Sequence, residues 1–185
     1  GVAFDYATLK AVTDTREETL LDALDGAVRQ RFLVNEGDGF RFAHPLIRHQ
    51  LYAETSSPRR QRYHKQIADS LEELFGHAIE EHIGEVAHHL MNSGPAADAE
   101  KVIDVCRLAG ERAVDLYAWG EAARCFEAAV KAAERLPETS SAVYGRLHYK
   151  AGFSYYRDLD IGPAVSHYRQ AIDHLRQTDD RHGQV

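Results

Sequence analysis

Histidine residues are the first candidates for chemistry, because the chain has 11 of them and imidazole both binds metals and titrates near neutral pH. A zinc site on one helix typically needs two histidines four residues apart, as in the His-Glu-x-x-His motif. Here His88 and His89 are adjacent, so their side chains point about 100° apart on a helix. His82 precedes His88 by six residues, which also misses this spacing. The histidine pattern therefore predicts no metal site.

Carboxylates and thiols offer no catalytic arrangement either. Glu80 and Glu81 are neighbours in sequence and diverge on a helix, and no Gly-x-Ser-x-Gly nucleophile turn or Gly-x-x-x-x-Gly-Lys-Ser/Thr phosphate loop occurs. Cys106 and Cys125 lie in alanine-rich helical sequence, which is typical of buried, reduced thiols in a cytoplasmic protein. We therefore expect no catalytic residue and no cofactor in this chain, and a cytoplasmic location.

The elements that would position any site are mainly helices. Two short apolar runs flank a Gly/Asp turn and predict one β-hairpin near 32–42. Elsewhere apolar residues recur at helical spacing, and no run approaches the roughly 20 apolar residues of a membrane span. The pattern predicts helices near 5–13, 15–31, 45–54, 58–75, 78–92, 97–118, 120–136, 140–157 and 161–177, with breaks at Gly120 and at Gly162-Pro163.

Two stretches of the helical part repeat each other. The same intervals of 3, 9, 4 and 3 residues separate two sets of five positions, offset by 42 residues: Gly110, Ala113, Ala122, Phe126 and Ala129, and then Gly152, Tyr155, Ala164, Tyr168 and Ala171. A small residue late in the first helix lets the second approach closely, and the aromatic residue fills the groove between hairpins. The pattern resembles the tetratricopeptide repeat, whose hairpins stack into a superhelix with a concave binding surface. A plain bundle of helical hairpins is the alternative.

The tetratricopeptide template also implies a binding surface. It places six residues on the concave side, where tyrosine and arginine are typical anchors of protein recognition: Arg107, Glu111, Arg146, Tyr149, Phe153 and Tyr156. We expect this surface to bind a protein or a small effector. Contact with a further repeat is the competing explanation for the aromatic residues.

A composite motif connects the hairpin to the helices that follow it. The runs FRFAHPLIR at 40–48 and RRQRYH at 59–64 flank the pair Leu51-Tyr52, and AHHL at 87–90 and AGERA at 109–113 come later. This order resembles the region after the ATPase core of large bacterial STAND-type regulators. These include LuxR-type activators related to the maltose-regulon activator, and some multidomain nucleotide cyclases and kinases. The resemblance covers roughly 4–136.

The resemblance implies a division of labour along the chain. Residues 1–57 would be a winged-helix remnant, 58–76 a connecting helix, and 77–185 the tetratricopeptide-like repeats that sense an inducer or an inhibitory protein. An ATPase core would precede this segment in a larger parent, and the output domain would lie elsewhere. The alternatives are the regulatory segment of a multidomain enzyme, such as a cyclase or kinase, and a stand-alone interaction scaffold.

Charge argues against direct nucleic-acid contact. The formal net charge is −7, whereas DNA-binding surfaces are basic. The candidate recognition helix at about 14–31 has five carboxylates and three guanidinium groups, namely Asp14, Glu17, Glu18, Asp22 and Asp25, and Arg16, Arg29 and Arg31. We therefore expect a winged helix that couples domains, and neither nucleic acid nor membrane as a partner.

The basic run at Arg59, Arg60 and Arg62 is the best candidate for an interdomain contact. It lies at the start of a helix, where the helix dipole disfavours cations. We interpret it as a docking site for the upstream ATPase core. A solvated surface, or pairing with Glu54 and Asp69, is one alternative, and contact with phosphate is another.

Overall fold

Two compact units make up the chain, Gly1–Ile79 and Glu80–Val185. The structure is a computed structural model that describes residues 3–13 and 15–177, so Asp14 of the candidate recognition helix lies outside the described residues. Across these ranges the fold is mainly helical with a small three-stranded antiparallel sheet. The prediction of a mainly helical chain is confirmed.

The first unit contains the sheet and the first four helices. Its elements are β1 (Ala3–Asp5), α1 (Tyr6–Val12), α2 (Glu17–Arg29), β2 (Leu33–Glu36), β3 (Gly39–Phe42), α3 (Pro45–Glu54) and α4 (Ser57–Phe75), followed by a 3₁₀ turn at Gly76–Ala78. Pro45 and Pro58 lie in the first turns of α3 and α4, where a missing backbone N–H costs no helical hydrogen bond.

The sheet differs from the sequence-based prediction by one strand. Strand β3 is central and pairs antiparallel with both β2 and β1, and Phe4 lies opposite Phe40 in the β1–β3 ladder. The prediction of one β-hairpin is correct for β2 and β3 but missed β1. A strand of three residues is too short to show an alternating pattern, and its pairing depends on residues far along the chain.

An aromatic and leucine cluster forms the core of the first unit. Leu20 and Leu24 from α2 are buried together with Leu33 from β2. The ring of Phe4 stacks on Phe40 at 5.9 Å between centroids and lies 6.1 Å from Phe42. The buried side of α2 and one surface of the sheet therefore share a single core.

The second unit is entirely helical within the described residues. Its elements are α5 (Ile79–Asn92), a 3₁₀ turn (Gly94–Ala96), α6 (Ala99–Asp115), α7 (Trp119–Ala133), α8 (Ser141–Arg157) and α9 (Ile161–Arg176). From α6 onward each helix packs against the next. Within residues 3–13 and 15–177, no helix combines the length and apolar character needed to cross a bilayer.

The turns between α6 and α7 and between α8 and α9 each contain a residue with a positive φ that the sequence did not indicate. Helix α6 ends at Asp115 and α9 begins at Ile161, so the turns precede Gly120 and Gly162 rather than falling on them. Tyr117 and Leu159 hold φ values of 59° and 64°, in the left-handed region. The chain can adopt this conformation because the following N–H groups bond back to helix carbonyls, as from Ala118 N–H to the Ala113 oxygen at 2.8 Å.

Within each hairpin, a glycine and an aromatic residue of the repeated sets lie against each other. A Cβ built on Gly110 would lie only 2.8 Å from ring atoms of Phe126, and one on Gly152 would lie 3.1 Å from Cδ1 of Tyr168. Phe126 is fully buried between the helices. In both hairpins, α6–α7 and α8–α9, a glycine of the first helix therefore makes room for the aromatic ring of the second.

Candidate binding groove

An open groove of about 170 Å³ lies between α6 and α8, with part of α7 beneath it. The seven lining residues are Glu111, Val114, Asp115, Phe126, Tyr149, Lys150 and Phe153. On each helix these residues are three or four positions apart, or adjacent, so each helix contributes one side to the groove. Three residues of the predicted partner-binding set, Glu111, Tyr149 and Phe153, are among them.

Two cations hold the carboxylate of Glu111. Its Oε2 accepts a hydrogen bond from Nη1 of Arg107 at 3.0 Å, and its Oε1 accepts one from Nζ of Lys150 at 2.5 Å. Although burial raises the pKa of Glu111, its hydrogen bond and charge interaction with Lys150, together with the charge of Arg107, hold that pKa below its usual value. Glu111 is therefore ionised and links α6 to α8. The Lys150 ammonium also lies 5.6 Å from the ring centre of Phe126.

Exposed aromatic rings continue along α8. Tyr149 is 49% exposed, and its ring lies 5.9 Å from that of Tyr168 on α9. Phe153 is half-buried, and its ring meets Trp119 edge-on at 6.1 Å and 86°. The guanidinium of Arg157 lies 4.8 Å from the centre of the Trp119 ring. This row of rings has the rigid, partly apolar character of recognition surfaces.

The other predicted binding residues do not line the groove. Arg107 reaches it through the ion pair with Glu111. Arg146 and Tyr156 are exposed on α8, and Nε of Arg146 donates to the carbonyl of Ala142 in its own helix at 3.3 Å. The structure therefore brings together four of the six predicted residues and leaves Arg146 and Tyr156 beside the groove.

Two charged residues of the groove were missed by the sequence analysis. Asp115 follows Glu111 by one helical turn, and Lys150 follows Tyr149 directly. Their helical spacing from residues already singled out was the available signal, but the repeat template assigns no role to them. Asp115 makes no ion pair or side-chain hydrogen bond within the described ranges.

A column of five aromatic rings lies between α8 and α9, and the sequence did not indicate it. Tyr144 stacks on His174 at 5.0 Å, and His174 stacks on His148 at 5.8 Å. His148 meets His167 at 5.1 Å, and His167 stacks on Tyr155 at 5.6 Å. Nδ1 of His148 and Nδ1 of His167 are 2.9 Å apart, so one ring donates a hydrogen bond to the other.

Burial favours the neutral form of two histidines in the ring column, His148 and His167. Burial lowers the pKa of His148 to about 4, with a further contribution from the charge of His167, and burial also lowers the pKa of His167. At one end the hydroxyl of Tyr155 donates to Oε2 of Glu127 at 2.8 Å, and Glu127 pairs with Lys131 at 3.0 Å. In the part of the chain that the structure describes, no group of three His, Cys, Asp or Glu side chains is arranged to hold a metal ion.

The predicted interdomain residues lie in the first unit. Arg60 is engaged locally, because its Nη1 donates to the carbonyls of Thr55 and Tyr52, the latter at 3.0 Å, while its guanidinium lies 4.9 Å from the Tyr52 ring centre. Arg59 and Arg62 are exposed. Arg60 therefore stabilises the turn between α3 and α4 through these hydrogen bonds. The guanidinium groups of Arg59 and Arg62 remain on the exposed surface.

Apolar side chains accompany these cations. Helix α3 buries none of its residues, and four large apolar side chains of α3 and α4 are at least half exposed: Leu46, Leu51, Tyr52 and Tyr63. Surfaces that mix exposed apolar and charged residues are typical of protein contacts.

The two thiols are expected to be unreactive. Cys106 and Cys125 are free and buried, and burial raises their pKa values to about 12 and about 11. Because the thiolate is the reactive form, these side chains serve packing rather than nucleophilic chemistry.

Comparisons with known proteins add no assignment to this geometry. Neither a protein-family model nor a curated protein matches the chain.

Proposed function

We propose that the chain is the non-catalytic regulatory and sensor segment of a cytoplasmic, STAND-type ATP-dependent transcriptional regulator. In this proposal the helical repeats bind a protein partner or a small effector. The observation that carries it is the groove between α6 and α8, which combines the exposed ring of Tyr149 and the half-buried ring of Phe153 with charged side chains. Such open, aromatic surfaces bind by contact and desolvation.

The packing of the hairpins supports a tetratricopeptide-like reading of the second unit. Gly110 against Phe126 and Gly152 against Tyr168 repeat one contact in two successive hairpins. Stacked repeats of this kind present one helix of every hairpin on the same surface. The first helices of the two hairpins, α6 and α8, form the groove, which is where a tetratricopeptide array would bind its ligand.

The arrangement of the first unit supports a winged-helix reading of residues 1–57. Helix α2 is followed directly by the β2–β3 hairpin, and β1 completes a small sheet whose core lies against α2. The motif that carried the resemblance runs from β3 into α3 and α4. In the parent, the exposed Arg59 and Arg62 and the apolar side chains near them would dock on the upstream ATPase core.

A binding role agrees with the electrostatics of the groove better than a catalytic one. A general acid or base needs a pKa near the working pH. The pKa of Glu111 is instead held below its usual value by Lys150 and Arg107, which keeps the carboxylate ionised and occupied. Its role is to fix α6 against α8.

The proposal is tested by affinity capture with the full chain as bait in lysate of its source. The binding variant combines Tyr149→Ala, Phe153→Ala and Tyr156→Ala. The control variant combines Val165→Ala and Ile172→Ala, two exposed apolar side chains of α9. We expect a protein or small molecule that the unmodified chain and the control retain and the binding variant loses. Equal capture by all three baits contradicts a sensor surface on α8.

A further inference from the structure

The unpaired charge of the groove is Asp115. It lies at the C-terminal end of α6, where the helix dipole adds partial negative charge. Among the described residues no cation pairs with its carboxylate, although it lines the groove. An incoming positive group would therefore meet both the carboxylate and the negative end of the helix.

The cations at the groove already form ion pairs with Glu111. Lys150 and Arg107 both contact the carboxylate of Glu111, at 2.5 and 3.0 Å. A negatively charged ligand would have to draw one of them away and leave Glu111 partly unpaired, which costs free energy at a half-buried site. Charge complementarity therefore favours a cation over an anion.

The size and walls of the groove favour one side chain over a whole small molecule. Sites for drug-sized ligands occupy roughly 300–1,000 Å³, whereas this groove measures about 170 Å³. Val114, Phe126 and Phe153 form apolar walls, and Tyr149 offers an exposed ring. An aromatic ring attracts a cation over its plane and also offers a large apolar surface.

We propose that this groove binds a peptide segment of a protein partner in which an arginine or lysine adjoins an apolar side chain. The apolar side chain enters between Tyr149 and Phe153, and the cation pairs with Asp115. This inference rests on the proposed binding function and specifies the class of ligand.

The test uses three short probes in which the second side chain is positive, neutral or negative. They are acetyl-Phe-Arg-amide, the analogue with citrulline in place of arginine, and acetyl-Phe-Glu-amide. Trp119 is the only tryptophan of the chain, and its ring contacts Phe153 in the groove wall. Its emission reports occupancy, and backbone amide NMR shifts of Tyr149 and Asp115 locate the probe. We expect the arginine probe to bind most tightly, by roughly fivefold over citrulline, and to weaken as salt is added.

A matched pair of variants isolates the carboxylate. Asp115→Asn removes one charge from the groove, and Asp173→Asn removes one from the exposed surface of α9. Neither substitution changes side-chain size, and both residues are exposed. Circular dichroism checks that both variants fold. We expect Asp115→Asn to abolish the preference for arginine over citrulline and Asp173→Asn to preserve it.

The outcomes separate the ligand class from the binding function. If the glutamate or citrulline probe binds the groove as tightly as the arginine probe, the inference is overturned while the proposed function stands. If Asp115→Asn keeps the preference, the cation pairs elsewhere and the inference is also overturned. If no probe changes Trp119 emission or the groove shifts, both the inference and the groove as a binding site are rejected.

Discussion

At the scale of single residues, the contact between Nδ1 of His148 and Nδ1 of His167 limits which ring nitrogens can carry a proton. At 2.9 Å one nitrogen must carry a hydrogen and the other must accept it, so the two rings hold complementary tautomers. If both rings were protonated, two N–H groups would point at each other. Only 4% of His148 is exposed, so water cannot relieve that repulsion.

We expect acid to weaken the α8–α9 hairpin. The pKa of His148 falls from 6.5 in the unfolded chain to about 4 in the fold, because burial disfavours its charged form. The unfolded state then binds more protons between these values, so stability is complete above about pH 6.5 and is lost as the pH falls towards 4. The expected loss between about pH 7 and about pH 5 is about 2 kcal/mol.

Urea unfolding at several pH values measures this loss, with His148→Gln as the test variant. The titratable groups around the pair are Tyr144, Tyr155, His174, Glu127 and Lys131. Glutamine cannot take up a proton, so the variant should lose less stability on acidification even if it is weaker at neutral pH. His88→Gln, at an exposed histidine of the same unit, should keep the full dependence. An unchanged slope in His148→Gln would locate the acid response elsewhere.

At the scale of elements, the glycine–aromatic contact sets the distance between paired helices. A methyl group on Gly110 would lie 2.8 Å from the ring of Phe126, which is 1% exposed and belongs to a buried cluster with Ala122 and Ala151. We expect Gly110→Ala to destabilise the second unit by about 1–3 kcal/mol through overpacking, despite the better helix propensity of alanine.

Gly84→Ala provides the matched control, because Gly84 is also inside a helix and its added Cβ would meet only a carboxylate oxygen of Glu121 at 3.6 Å. This variant should be neutral or more stable by up to about 1 kcal/mol. Chemical denaturation followed by Trp119 emission measures both. A Gly110→Ala variant as stable as Gly84→Ala would show that α6 and α7 can move apart without cost.

The sequence was sufficient for elements whose signal is local. Apolar spacing and prolines located the α-helices of the described residues to within three residues at each end. The repeated intervals singled out Gly110, Phe126, Gly152 and Tyr168 but did not pair each glycine with its aromatic ring. The turns at Tyr117 and Leu159 were not predictable, because neither residue type favours positive φ. Their conformation is held by hydrogen bonds back to carbonyls of the helix they end.

The candidate site was only partly predictable for a related reason. The template identified Glu111, Tyr149 and Phe153, which occupy repeat positions. Glu111 lies on α6 and Lys150 on α8, and α7 comes between them in the chain. Their pairing depends on how far α6 and α8 are shifted along their axes, which no local sequence pattern encodes. The ring column depends in the same way on how α8 and α9 align.

At the scale of the whole molecule, each unit has a core of its own. Leu20, Leu24 and Leu33 are buried in the first unit, and Phe126 and Leu147 are buried in the second. Compact units with separate cores can unfold in separate transitions, in which case one free energy of unfolding does not describe the chain.

Leu24→Ala removes a buried side chain of the first unit, which is 6% exposed, and should lower the stability of that unit by roughly 2–5 kcal/mol. Because Trp119 belongs to the second unit, its urea midpoint should stay unchanged while the far-ultraviolet circular dichroism acquires an earlier transition. Leu147→Ala, at a residue 3% exposed in the second unit, should instead shift the Trp119 midpoint. If both substitutions move one shared transition by similar amounts, the units fold as a single cooperative body, and a ligand in the groove would then stabilise the α3–α4 surface as well.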